Sequence, residues 1–171
     1  LFLKAGTSIV GPAEGIAIHF PDRRTDHEGE LVAVIGKAGK NIAYEDALDH
    51  VFGYTLGLDM TLRGAEDRSL RKSVDSYAVM GPWMVTADEI ADPNDVRLWL
   101  DVNGEKRQDS STSYMIFNTQ KLIAYASRFY TLQPGDLIMT GTPEGVAPVV
   151  PGDTIALTVP EIGTLSIAVR A

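Results

Sequence analysis

The sequence predicts a predominantly β fold with accessory helices, of the α+β class, in a single domain over residues 1–171. Short apolar segments rich in β-branched residues recur along the chain between glycine, proline and aspartate turns, a pattern typical of strands. The pair Asn103-Gly104, between two strand-like segments, is a strong signal for a β-hairpin. With 171 residues and 44% hydrophobic content, the chain can bury one core but is too short for two large domains.

The predicted elements comprise about nine short strands and two helices. Apolar residues at helical spacing predict one helix at 43–52 and a clearer one at 120–130, which Asn118 or Thr119 can cap. The charged stretch 63–71 cannot pack in a core, so it is predicted to be a loop or a short exposed helix. Strands are predicted at 1–4, 15–20, 31–35, 54–61, 97–102, from 106 onward, and at 137–140, 155–159 and 165–169.

Composition excludes several classes of function. The chain has 23 acidic and 15 basic residues and a formal charge of −8, which disfavours nucleic acid or an anionic membrane as a partner. It contains no cysteine, so disulfides, thiolate metal sites and cysteine nucleophiles are impossible, and any metal must bind oxygen or imidazole. No apolar segment approaches the roughly 20 residues of a membrane helix, and no signal peptide opens the chain. We therefore predict a cytoplasmic protein.

Two glutamates lead directly into the apolar run 31–35, which predicts a strand buried on both faces. Side chains alternate along a strand, so Glu28 and Glu30 point to the same side, with Cα atoms roughly 6.5 Å apart. Two like charges at the mouth of a core need a compensating cation. Either both carboxylates are hydrated or paired with surface lysines, or they are oxygen ligands of a hard divalent ion.

A third acid, Asp59, also lies where an apolar residue is expected, between Leu58 and Met60. If the strands of Glu28, Glu30 and Asp59 are neighbours, the three carboxylates can bind one Mg²⁺ or Mn²⁺ ion per chain and leave about three positions open. Lys72 follows the charged stretch and is the best-placed residue to balance the negative charge. The alternative is that Lys72 is an ordinary surface lysine.

The turn Gly141-Thr142-Pro143 follows a predicted buried strand. Its backbone N–H groups and the Thr142 hydroxyl can bind an anionic oxygen, although such a sequence also occurs in ordinary turns. The histidines His19, His27 and His50 lack the spacing of metal ligands and are predicted to be structural or exposed. Motifs of serine hydrolases, P-loop proteins and dinucleotide-binding folds are absent from the sequence.

A series of short motifs occurs along nearly the whole chain. In order, they are His27-Glu28-Gly29-Glu30-Leu31, Val34-Ile35-Gly36-Lys37, Gly53-Tyr54, Leu58-Asp59-Met60-Thr61 with Arg63, Arg71-Lys72-Ser73, Gly81-Pro82-Trp83, Val102-Asn103-Gly104-Glu105 and Leu137-Ile138-Met139-Thr140-Gly141-Thr142-Pro143-Glu144-Gly145-Val146. Taken together, these motifs resemble the fumarylacetoacetate hydrolase family. The resemblance implies the mixed β-roll fold of that family, a homodimer, and a Mg²⁺ or Mn²⁺ site made by Glu28, Glu30 and Asp59. It implies that Lys72 and Thr142 are catalytic, and that Arg63, Gly141 and Thr142 bind substrate.

The resemblance also implies an activity: hydrolysis of a C–C bond in an acylpyruvate or related β-diketo acid, through a metal-stabilised enolate. Isomerisation of a 2-hydroxy-dienedioate or decarboxylation of an oxo-acid such as oxaloacetate is the alternative within the family. From a different class, a β-rich binding module with purely structural acids is also compatible with the residues.

Two departures from the family pattern affect these expectations. Hydrolytic members carry a His and a Glu on a lid segment upstream of the motif Phe2-Leu3-Lys4, so we expect this chain to be a catalytic domain without that lid. Glu66 stands where some members have a neutral amide, which leaves the choice of substrate open.

Overall fold

The computed structural model describes all 171 residues and confirms a predominantly β fold with few helices. The two helices are α1 (Arg68–Lys72) and α2 (Thr119–Phe129), and four short 3₁₀ turns accompany them. The strands are β1 (Ile9–Val10), β2 (Ile16–Ala17), β3 (Thr25–Asp26), β4 (Gly29–Ile35), β5 (Val51–Asp59), β6 (Thr61–Leu62), β7 (Ala78–Thr86), β8 (Arg97–Val102), β9 (Glu105–Ser111), β10 (Leu137–Met139), β11 (Thr154–Val159) and β12 (Gly163–Arg170).

The strands form two five-stranded sheets and one small ribbon. The first sheet has the order β1-β7-β5-β4-β10, and the second has the order β2-β12-β11-β8-β9. The ribbon pairs β3, which precedes β4 in the chain, with β6, which follows β5. Most neighbours are antiparallel, while β1–β7 and β12–β2 are parallel, so both sheets are mixed.

Strand β4 divides the core from the acidic site, because its side chains alternate between two faces. Leu31, Ala33 and Ile35 join the core cluster, which also contains Leu100 and Leu157 of the second sheet. At Gly29 a side chain would point toward the second sheet, where a Cβ would lie 2.9 Å from Leu157 Cδ1. The close approach of the sheets therefore requires glycine between the two glutamates, and Glu30 points to the opposite face.

Several predicted elements are confirmed. Helix α2 begins after Asn118, whose side chain accepts a hydrogen bond from the Lys121 N–H at 3.0 Å, as expected for a cap. The pair Asn103-Gly104 connects β8 and β9, with φ of 54° and 79°. Strands β11 and β12 form the predicted hairpin, in which Val159 pairs with Gly163.

Two predictions of local structure were wrong. The helix expected at 43–52 is only a 3₁₀ turn, Ala47–His50, and Val51 already begins β5. Pairing of β5 with both β4 and β7 satisfies the backbone there, so the tertiary contacts override the helical pattern. Residues 1–4 form no strand, and the Lys4 side chain instead extends toward Asp59. The structure has twelve strands rather than nine: eight of the predicted strands are present, and the prediction lacked the two-residue strands β1, β3 and β6 and the nine-residue strand β7.

Candidate metal centre

Three carboxylates meet where β4 and β5 lie side by side. Glu28 precedes β4, Glu30 lies within it, and Asp59 ends β5. The antiparallel register brings the ends together, and the Asp59 N–H donates to the Glu28 carbonyl at 2.9 Å. One ligand oxygen from each of the three side chains lies within 4.8 Å of the others, and all three residues are buried. The structure therefore brings the predicted ligands together.

Two lysines compensate part of this negative charge. Lys72 ends the short helix α1, and its Nζ donates to Glu28 Oε2 and Asp59 Oδ2, each at 2.6 Å. Lys4 Nζ donates to Asp59 Oδ1 at 2.5 Å, to the Tyr77 carbonyl at 2.9 Å and to the Lys72 carbonyl. Burial lowers the pKa of Lys4 more than the attraction of Asp59 raises it. Lys72 is thus buried rather than an ordinary surface lysine, and Lys4 is a second cation that the sequence did not reveal.

Glu30 lacks an ion pair. Its Oε2 accepts a hydrogen bond from the Gly141 N–H at 2.6 Å, and no lysine or arginine nitrogen lies within 4.0 Å of its carboxylate. Burial first, and then the charge of Asp59, raise the pKa of Glu30 to about 8. The Gly141 N–H that was predicted to bind substrate is therefore engaged with a carboxylate of the chain itself.

A layer of arginines covers the outer side of the site. Arg63 Nε donates to Asp26 Oδ2 at 2.6 Å, and its Nη2 donates to Glu28 Oε1 at 3.3 Å. Arg24 forms two further hydrogen bonds to the fully buried Asp26. Burial raises the pKa of Asp26, but the hydrogen bonds from Arg24 and Arg63 outweigh it, so the pKa is lowered. Asp26 is thus an ionised anchor for Arg63, whose half-exposed side chain reaches the carboxylate cluster.

Glu66, the residue that departs from the family pattern, is held by a neighbour. Arg23 forms two hydrogen bonds of 2.8 Å to its carboxylate and also donates to the Arg63 carbonyl at 2.9 Å. The Arg23 hydrogen bond lowers the pKa of Glu66. The pair therefore fixes the loop that carries Arg63.

Thr142 lies next to the cluster on the loop that follows β10, and its neighbour Gln108 was missed by sequence reasoning. Gln108 Nε2 donates to Thr142 Oγ1 at 2.8 Å and to the Pro143 carbonyl at 2.9 Å. Gln108 Oε1 accepts from the Gly29 N–H at 3.0 Å. Gln108 stands in the polar run of β9, where its residue type does not distinguish it from exposed neighbours; its inward position is visible only in the fold.

The donor set fits a hard divalent cation. Three buried carboxylates, one of them without a counterion, supply the oxygen ligands that Mg²⁺ and Mn²⁺ prefer. None of the three histidines belongs to this group, and burial lowers the pKa of His27.

Among the helices, none combines the length and apolar character needed to cross a bilayer.

Residues 1–170 match the family profile described as fumarylacetoacetate (FAA) hydrolase, C-terminal. The chain belongs to the fumarylacetoacetate hydrolase family. It is 53% identical over 171 residues to a maleylpyruvate hydrolase of Aquipseudomonas alcaligenes, covering 100% of this chain and 60% of the relative. It is 42% identical to the oxaloacetate tautomerase fahd2 of Xenopus laevis, covering 97% of this chain and 56% of that protein.

The fold of this family member is also that of solved structures. A maleylpyruvate hydrolase from Sphingobium sp. SYK-6, in complex with manganese(II) and pyruvate, superposes with a TM-score of 0.93 and 42% identity. The superposition covers 98% of this chain and 62% of that one. This chain thus spans about 60% of the length of these three relatives.

Proposed function

We propose that this chain is the catalytic domain of a divalent-metal-dependent hydrolase that cleaves a C–C bond in an acylpyruvate or related β-diketo acid. The observation that carries the proposal is the buried cluster Glu28, Glu30 and Asp59, in which Glu30 has no counterion. The similarity to maleylpyruvate hydrolases, one of them solved with manganese and pyruvate, supports the same chemistry.

Glu28, Glu30 and Asp59 are the residues that would hold one Mg²⁺ or Mn²⁺ ion. When bound, such an ion acts as a Lewis acid toward the adjacent oxygens of an α-keto acid. Lys4 and Lys72 already balance two of the three carboxylates, so the loaded site has a net positive charge. This charge suits a substrate that carries a carboxylate next to its keto group.

Lys72 and Thr142 are the proposed catalytic residues. Lys72 Nζ contacts two of the ligand carboxylates, Glu28 and Asp59, at 2.6 Å each, so its third N–H can donate a hydrogen bond to a substrate oxygen as negative charge develops there. Thr142 Oγ1 accepts its hydrogen bond from Gln108, which leaves the hydroxyl proton of Thr142 available to a substrate carboxylate. Arg63 lies beside the cluster with a half-exposed side chain and supplies a further positive charge. Because the Gly141 N–H is engaged with Glu30, Gly141 contributes to substrate binding indirectly, by shaping the turn that carries Thr142.

The reaction balances with one water molecule. Its hydroxyl adds to the acyl carbon, the C–C bond to the methylene carbon breaks, and a proton reaches that methylene carbon. The products are a carboxylic acid and pyruvate. The hydrogen-bond donors Lys72 and Thr142 hold the oxygens of the pyruvyl portion while the electron pair of the broken bond is delocalised toward them.

The test is a calorimetric titration of metal-free protein with Mn²⁺, followed by turnover assays with acylpyruvates. We expect one ion per chain in the wild type, and loss of binding in Glu28→Ala and Asp59→Ala. Asp109→Ala is the matched control, because Asp109 also contacts two cations but is exposed. Equal Mn²⁺ binding by all four proteins would contradict the proposal, and would favour a binding module with structural acids.

Keto–enol or double-bond isomerisation is the second candidate, supported by the similarity to an oxaloacetate tautomerase. Isomerisation would use the same hydrogen-bond donors, Lys72 and Thr142, but it breaks no C–C bond. Decarboxylation of oxaloacetate is distinguished from both by release of CO₂. Measuring pyruvate, CO₂ and enol absorbance in parallel separates the three reactions on acylpyruvate, oxaloacetate and a 2-hydroxy-dienedioate.

We further propose that the protein is a homodimer. Large apolar side chains are exposed in the segment after β9, including Tyr114 at 81% and Ile116 at 90%. Several large apolar side chains exposed within one short segment favour an interaction site there. Light scattering on the purified protein tests this, since a monomer at micromolar concentration would contradict it. The cytoplasmic location stays a prediction.

A further inference from the structure

Gln108 connects two parts of the candidate site that lie on different elements. It belongs to β9 of the second sheet, and its residue is only 2% exposed. Its side-chain oxygen accepts from Gly29, which stands between the ligands Glu28 and Glu30. Its side-chain nitrogen donates to Thr142 and to the carbonyls of Pro143 and Glu144, at 2.8, 2.9 and 3.4 Å. One amide therefore spans the ligand strand and the loop 141–146.

A second contact presses the same loop against the same strand. Gly145 lies so close to β9 that a Cβ at this position would be 1.9 Å from the Arg107 carbonyl oxygen, and its φ is +95°. Only glycine fits both restrictions. The loop is thus held to β9 by a close backbone approach at Gly145 and by the hydrogen bonds of Gln108.

The amide also sets the direction of the Thr142 hydroxyl. Because an amide nitrogen can only donate, Thr142 Oγ1 must accept from Gln108, and its own proton must point elsewhere. Thr142 is half-buried beside the exposed Gly141, so the free proton can reach a bound molecule. A carboxylate at position 108 would instead accept the Thr142 proton and reverse this hydrogen bond.

We propose that Gln108 is a positioning residue that orients the Thr142 hydroxyl as a donor toward the substrate carboxylate, and that ties this donor to the strand of Glu28 and Glu30. The inference rests on the proposed function, because the Thr142 hydroxyl is assigned there to bind substrate. Gln108 itself contacts no substrate; it acts through Thr142 and Gly29.

The experiment measures pyruvate binding by calorimetry to the protein saturated with Mn²⁺. We expect Gln108→Met to weaken pyruvate binding about tenfold, the effect of one misplaced hydrogen bond, while one Mn²⁺ ion still binds per chain. Gln108→Glu retains an acceptor for Gly29 but no donor for Thr142, so we expect at least the same loss. It also serves as the second variant if Gln108→Met folds poorly.

A double-mutant cycle with Thr142→Val separates positioning from general destabilisation. If Gln108 acts through Thr142, the double variant Gln108→Met, Thr142→Val binds pyruvate no more weakly than Thr142→Val alone. Additive losses would overturn the inference. Thr112→Val is the control for the threonine substitution, because the hydroxyl of the buried Thr112 also accepts a hydrogen bond, from the Val96 N–H at 2.8 Å. It lies outside the site, so pyruvate binding is expected to stay unchanged.

Failure of this inference and failure of the proposed function are distinguishable. If the wild type binds pyruvate and both Gln108 variants bind it equally well, the inference alone is wrong. If the wild type binds Mn²⁺ but no pyruvate, the proposed function is wrong, and so is the role assigned to Gln108.

Discussion

Two aspartates in this protein each contact two cationic side chains, and they lie in opposite environments. In the metal centre, the carboxylate oxygens of Asp59 lie 2.5 Å from Lys4 Nζ and 2.6 Å from Lys72 Nζ, and the side chain is 2% exposed. Asp109, on the outer face of β9, meets Arg97 at 3.0 Å and Lys106 at 2.8 Å, with 34% of its side chain exposed. The ion pairs are chemically alike, so burial is the variable that differs.

Burial determines how much stability the protein loses when the charged partner of a carboxylate is removed. Around Asp109, water and salt screen the charges and can replace any lost partner. Around Asp59, little solvent is available, so its carboxylate depends on the specific cations Lys4 and Lys72. A protein retains such a costly cluster where it serves a function, and the unpaired Glu30 indicates that the function is binding of a further cation.

The largest expected effect comes from removing the shared cation. Lys72→Met leaves Glu28 and Asp59 buried without their common partner, so the metal-free protein should lose about 3–5 kcal/mol of unfolding free energy. Urea denaturation measures this, and Lys106→Met is the exposed control. Added Mn²⁺ should restore part of the loss, because the ion replaces the missing positive charge. Equal destabilisation by Lys72→Met and Lys106→Met would remove the distinction between the two sites.

Lys4→Met should cost less, about 2 kcal/mol. Asp59 keeps Lys72 as a partner, but the carbonyls of Tyr77 and Lys72 lose a donor. The Lys4 side chain is 12% exposed, so water can replace some of these hydrogen bonds. The same urea titration ranks it against Lys72→Met. A larger loss than that of Lys72→Met would identify Lys4, rather than Lys72, as the principal counterion.

The third change should act in the opposite direction. Glu30→Gln removes a buried carboxylate that has no cation, while the amide oxygen can still accept from Gly141. We expect the metal-free protein to gain about 1–2 kcal/mol of stability and to lose Mn²⁺ binding. Thermal unfolding with and without Mn²⁺ measures both. A destabilised metal-free variant would show that Glu30 already has a compensating partner.

The sequence predicted those features of the site that break an expected pattern. Acids inside apolar strands made Glu28, Glu30 and Asp59 visible, because a carboxylate is unusual there. The turn Gly141-Thr142-Pro143 indicated Thr142 as an anion-binding residue, the resemblance added Arg63, and the family match confirms the fold on which that resemblance depended. The β-hairpins were predictable because their turn residues specify local geometry.

For the remaining residues of the site, the local sequence did not indicate a role. Lys4 is far from Asp59 in sequence, and Asp26 and Gln108 stand in polar surroundings where their residue types are ordinary. Their roles arise from the pairing of β4 with β5 and from the packing of β9 against the loop after β10. The missed start of β5 has the same cause, since pairing on both edges decided its structure.

The smallest expected effect belongs to the exposed cluster. Hydrogen bonds from Arg97 and then Lys106 lower the pKa of Asp109 from 3.8 to about 2. A lowered pKa means that the carboxylate stabilises the fold above pH 3.8, and that this contribution disappears as the pH falls through about 2. Because the group is exposed, the contribution is strongly screened.

Asp109→Asn should therefore leave Tm at neutral pH and physiological salt, Mn²⁺ binding and turnover within error of wild type. A Tm of Asp109→Asn below that of the wild type should appear only at low ionic strength. This difference in Tm should vanish as the pH approaches 2, where the wild-type carboxylate becomes protonated and, like the amide of the variant, uncharged. Thermal unfolding across this range at two salt concentrations makes the comparison. A deficit that persists in high salt would mean that the surface aspartate is as poorly solvated as Asp59, and burial would no longer explain the difference between them.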